Sequence, residues 1–83
     1  MKQLTVNELV TVTQVGFKKN LIAYPRRIEF RGTVYEFLDA GLHCTVRRGD
    51  QVAHIMTMTD GHQQFRLRCD NKGGVWTLVS IVS

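Results

Sequence analysis

The sequence predicts an all-β domain, a bent antiparallel meander of six or seven strands curling into an SH3-like small barrel. Three observations predict it. From Arg26 onward, apolar residues alternate with polar ones in short runs, the period of a strand with one face buried. Turn signals separate those runs at Arg31-Gly32, Gly49-Asp50, Asp60-Gly61 and Asn71-Lys72-Gly73-Gly74, residues that tolerate the positive φ of hairpin turns. A chain of 83 residues with so many strands is too short for a large sandwich, and a meander curling on itself hides its sticky edges.

The first element is ambiguous. Thr5-Val6-Asn7-Glu8 has the form of a helix capping box, whereas Leu9 to Val15 is dense in β-branched residues that alternate with polar ones. The segment 1–20 therefore reads as a strand or a short helix, the strand favoured, with Asn7-Glu8 as a bend. Gly16 to Tyr24, with Lys18-Lys19-Asn20, reads as a basic loop or an irregular edge. Pro25, the one proline, suits a strand start or an edge.

The meander proper spans 26–82. Arg26 to Arg31 places Ile28 and Phe30 on one face, with Arg27, Glu29 and Arg31 on the other. Gly32 turns the chain. Thr33 to Leu38 is apolar on both faces, and Asp39-Ala40-Gly41 breaks it. Leu42, Cys44 and Val46 then oppose His43, Thr45 and Arg47. Val52, His54, Met56 and Met58 alternate with Ala53, Ile55, Thr57 and Thr59. Phe65, Leu67 and Cys69 alternate with Gln64, Arg66 and Arg68, and Val75 to Val82 is apolar on both sides, as befits a central or enclosed strand. The expected core is Ile28, Phe30, Val34, Phe37, Cys44, Val46, Ile55, Phe65, Leu67, Leu78 and Ile81.

Composition keeps this to a single domain, residues 1–83, near the size where one core is marginal. Apolar residues make up 43% of the chain, which argues against disorder. No run approaches a membrane span, and Met1 to Glu8 lacks a continuous apolar stretch of the secretory kind. A cytoplasmic, bacterial-type protein is expected, with Cys44 and Cys69 as reduced, buried thiols rather than a disulfide.

Net charge is +4, from 11 Lys and Arg against 7 Asp and Glu. Arg27, Arg31, Arg47, Arg66 and Arg68 are the candidate contact residues, because residues two apart on a strand project from one face at about 7 Å, near the phosphate repeat of a nucleic-acid strand. Tyr24, Tyr35 and Trp76 are candidates for base stacking. The competing account pairs the arginines with Glu29, Glu36, Asp50 and Asp70 on a solvated face.

His43, Cys44, His54, His62 and Cys69 show no metal-clamp spacing, and His43 and Cys44 point to opposite faces. No metal or cofactor is expected. A Cys–His couple lacks any local signature, and Asp39, Asp50, Asp60 and Asp70 sit at turns, where such side chains bond their own backbone. An enzyme is not expected.

Pro25, Phe30-Arg31-Gly32, Tyr35, Phe65-Arg66-Leu67 and Trp76-Thr77-Leu78 together resemble a pattern found in a group of small uncharacterised bacterial all-β proteins. Their pattern runs from a Pro and an aromatic-Arg-Gly-x-x-Tyr hairpin to a closing Trp-x-Leu strand. The resemblance spans Tyr24 to Ile81 and implies a fold, not an activity. The function expected is a small non-enzymatic binding module, with weak nucleic-acid binding through a basic sheet face. The alternative is a protein-interaction or homodimerisation module that uses Val75–Val82 or the first twenty residues.

Overall fold

The computed structural model describes residues 2–17, 23–38, 41–70 and 75–83. Seven antiparallel strands run through them: β1 (Gln3–Phe17), β2 (Ala23–Phe30), β3 (Thr33–Glu36), β4 (Leu42–Arg48), β5 (Gln51–Thr59), β6 (Gln64–Asp70) and β7 (Trp76–Val82). The β-branched run of the first segment prevails over the capping box, and β1 is a strand. Asn7 has a φ of 53°, and the pairing of β1 with β7 shifts register between Thr5 and Glu8. This is the expected bend, a bulge that sharpens local twist. Beyond it β1 changes partner, from β7 along Gln3–Val10 to β2 along Thr11–Phe17.

The strand order is β3-β2-β1-β7-β6-β5-β4. Two meanders, β1–β3 and β4–β7, are therefore joined through the first and last strands, where the sequence suggested one continuous meander. The sheet does not close, which corrects the SH3-like barrel. Closure would need β3 beside β4. Instead the chain leaving β3 reaches the end of β5, where Leu38 N–H donates to the Thr59 carbonyl at 2.9 Å, and β4 is left outboard.

The curled halves face each other across a core of Ile28, Phe30, Phe37, Met56, Met58, Phe65, Leu67, Leu78 and Ile81. Phe65 of β6 meets Tyr35 of β3 at a ring separation of 4.9 Å and Phe37 at 5.2 Å. Four expected core residues fail. Val34 is exposed on β3, Cys44 and Val46 are exposed on β4, and Ile55 is only partly buried. The three on β4 and β5 share one cause. Register pairs Cys44 with Ile55 and Val46 with Ala53, so choosing the Ile55 face of β5 carries β4 along with it. The buried face is that of Met56 and Met58.

Backbone demands explain the turns. Arg31 and Gly32 both have positive φ, 51° and 77°, between the paired Phe30 and Thr33, the I′ geometry that suits strand twist. Gly49, with φ 55°, opens the two-residue β4–β5 turn between Arg48 and Gln51. At Gly41 an added Cβ would lie 1.8 Å from the Thr57 carbonyl oxygen, so no side chain fits where the chain passes β5. At the two ends of the segment expected as a basic loop or irregular edge, Gly16, Phe17, Ala23 and Tyr24 belong to strands. Lys18-Lys19-Asn20, Asp39-Ala40 and Asn71-Lys72-Gly73-Gly74 lie outside the described residues.

Candidate interaction surface

The five candidate arginines do not form one face. Arg27 donates from Nη1 to Glu36 Oε1 at 3.2 Å and from Nε to Thr13 Oγ1 at 3.2 Å. Arg31, in the β2–β3 turn, is bonded to Glu8 and lies 4.9 Å above the Phe30 ring. Both ion pairs are exposed and carry little energy there, but they neutralise the two guanidinium groups. Arg47 sits opposite Val52, on the face of His54 and Met56. Arg66 and Arg68 project from the other face, because they alternate with the buried Phe65, Leu67 and Cys69.

Only Arg66 and Arg68 therefore stand together. Their cross-strand neighbours are neutral. One outer row reads Leu42, Thr57, Arg66, Ser80, Thr5, and the next reads Cys44, Ile55, Arg68, Thr77, Leu9. Among the described residues neither arginine forms an ion pair, whereas Glu36, one of the acids expected on this face, pairs with Arg27. No aromatic residue joins these rows. Tyr35 and Trp76 pack against the core, and Tyr24 is placed opposite Gly16, whose missing Cβ would lie 2.6 Å from the tyrosine ring.

What fills this face instead is apolar. Leu42 is 78% exposed and Leu9 70% exposed, while Cys44 is exposed and free and Val46 is exposed. β4 has one neighbour in the sheet, β5, and lies beyond the two facing halves. Apart from the half-buried His43, each of its seven residues is exposed. Natural edges are usually kept short, bulged or charged; β4 carries charge only at its end, as Arg47 and Arg48. The sequence could not announce this, since Leu-His-Cys-Thr-Val alternates like any half-buried strand. Of the two surfaces expected for a dimer, β7 lies between β1 and β6 with Leu78, Ser80 and Ile81 buried, while the first segment exposes Leu4, Leu9, Val15 and Phe17.

On the opposite face of the same edge, His43 Nε2 and His54 Nδ1 approach to 3.0 Å, close enough to share one proton as an N–H···N bond. Cys69 is buried across from His54. Among the described residues no group of three or more His, Cys, Asp or Glu is placed to hold a metal ion. At the other end of the molecule an open cleft of about 570 Å³ lies between Phe30, Tyr35 and Ile81. Lys2 and Arg31 both line it, and Arg31 is held by Glu8.

Comparison of the chain with protein-family models, curated proteins and solved structures returns no match. The likeness to small bacterial all-β proteins rests on the residues that suggested it.

Proposed function

We propose that the protein is a non-enzymatic interaction module whose contact surface is the β4 edge with the adjoining outer face, and whose partner is another protein chain. The observation that carries this reading is the overhang of β4. Leu42, Cys44 and Val46 contribute nothing to the core, yet they form an apolar stripe on an open strand edge. Leaving such a stripe in water forfeits about 25 cal/mol for each Å² a partner would cover, and exposed edges of this kind are templates for pairing. A free exposed thiol at Cys44 suits a reducing compartment, in keeping with a cytoplasmic setting.

A second reading stays attached to Arg66 and Arg68, which are adjacent on one face and not paired with acids among the described residues. Two cations without a stacking aromatic make a weak single-strand site. The two readings separate with a pair of double variants. Leu42→Asp with Val46→Asp should leave the urea midpoint nearly unchanged, since neither residue is in the core, and should release proteins that the unaltered chain retains. Arg66→Ala with Arg68→Ala should leave that retention in place. If instead single-stranded RNA binds, weakens steeply with salt and is lost in the arginine pair, while no protein depends on Leu42 and Val46, the surface belongs to nucleic acid.

A further inference from the structure

The geometry points to a small-molecule site in the open cleft beside the start of β1, and to an aromatic monocarboxylate as the class of ligand it takes. Four parts of the chain build this cleft: Lys2 to Leu4, the β2–β3 hairpin, Gln63 ahead of β6, and the end of β7 with Ser83. Its volume of about 570 Å³ lies within the roughly 300–1,000 Å³ of small-molecule pockets, which join an apolar lining to a few convergent polar groups. Both parts are present. Phe30 and Ile81 belong to the core and Tyr35 packs against it, so the floor is apolar and partly aromatic. Leu4, paired with Ile81 and 56% exposed, adds an apolar wall. Rings such as those of Phe30 and Tyr35 suit a flat ligand in offset or edge-on contact.

Charge selects the other half of the ligand. Two cations, Lys2 and Arg31, line the cleft, and among the described residues no aspartate or glutamate does. The Lys2 ammonium enters neither of the ion pairs formed among the described residues. Arg31 donates from Nη2 to Glu8, and its guanidinium lies 4.9 Å from the centre of the Phe30 ring. A guanidinium carries five N–H donors, so the bond to Glu8 leaves others on Nη1 and Nε. Two cations against the single carboxylate of Glu8 leave one positive charge in excess. That excess balances one carboxylate, whereas a phosphate monoester brings about −1.5 to −2 at neutral pH.

The frame is set by bonds that need no ligand. Phe30 pairs with Thr33 across the two-residue turn that carries Arg31, and Glu8 and the Phe30 ring hold its guanidinium from either side. At the other rim Lys2 N–H donates to the Ser83 carbonyl at 3.4 Å, and Ser83 N–H donates to the Lys2 carbonyl at 2.9 Å. A site assembled in advance spends less binding energy on ordering. The cleft is open, however, and part of any ligand stays in water. Affinity for a simple aromatic acid is therefore modest, with a Kd of about 0.1–1 mM.

The test titrates the full chain with 2-naphthoate and follows its backbone amide resonances by NMR, with 2-naphthamide as a neutral ligand of the same shape. Saturable shifts are expected at Phe30, Tyr35, Gln63 and Ile81, with the amide binding at least about five-fold more weakly than the acid. Lys2→Gln, outside every strand, should weaken the acid by about three- to ten-fold and leave the amide unchanged. Leu4→Glu sets a carboxylate in the cleft at an exposed position; it should abolish binding of the acid while the urea midpoint holds. If that variant is poorly folded, Lys2→Gln decides alone. Arg66→Ala with Arg68→Ala, on the outer face, should change nothing. Three results overturn the site: no saturable shift up to about 5 mM, equal affinity for acid and amide, or binding that ignores Lys2→Gln and disappears in the arginine pair.

Discussion

Asp60 shows what a single turn residue contributes. Its Oδ1 accepts from the N–H of His62 and of Gln63, each at 2.9 Å, while Thr59 Oγ1 donates to the Gln63 carbonyl and accepts from Gly61 N–H. Desolvation pushes the carboxyl up, but the N–H donations from Gln63 and His62, with the His62 charge nearby, outweigh it and hold Asp60 below its ordinary value. A carboxylate lowered on folding adds stability that is present above its unfolded pKa, near 4, and is lost as pH falls through the folded value. Asp60→Asn keeps an acceptor but cannot titrate. Urea unfolding between pH 6 and about pH 2 should therefore show the unaltered chain losing stability that Asp60→Asn does not lose; parallel pH profiles would remove the effect. The role of this aspartate was legible in the sequence, because a turn carboxylate can bond only the backbone beside it.

Strand existence was legible as well, since turn chemistry and alternation are local. Which face of a strand is buried is not local. For β5 the choice lay between Ile55 and Met56, both apolar, and only the neighbours of β5 decide it. The choice carries a measurable contrast. Met56→Ala, at 1% exposure, should cost about 2–5 kcal/mol. Val46→Ala, at 39% exposure, should cost no more than about 0.5 kcal/mol. Denaturant midpoints settle it, and comparable losses at the two positions would mean that β4 is covered. The candidate site escaped the sequence for the same reason. Arginine spacing along a strand is visible, but Glu8 reaching Arg31 across the sheet and Arg47 falling on the other face are products of pairing.

At the level of the whole molecule, the change of partner along β1 between Val10 and Thr11 sets the arrangement. β1 serves β7 with one half and β2 with the other, so the two meanders depend on one seam. Nothing local in the sequence marks it, because pairing between the first and last strands spans nearly the whole chain. A chain ending at Asp70 would retain six strands but lose the seam and the buried Leu78 and Ile81. It should show no cooperative urea transition; a sharp two-state transition in that truncated chain would mean that the halves hold together without β7.

The seam also orders events in time. β7 is the last of the seven strands to be synthesised, and until it arrives the inner edge of β6 and the first half of β1 have no partner. Ribosomal synthesis at about 5–20 residues per second leaves the first half of β1 waiting for several seconds and the β6 edge for about one, while a chaperone or a neighbouring nascent chain can reach them. Among the described residues the folded sheet ends at β4; the nascent chain adds the edges of β6 and β1 to that one.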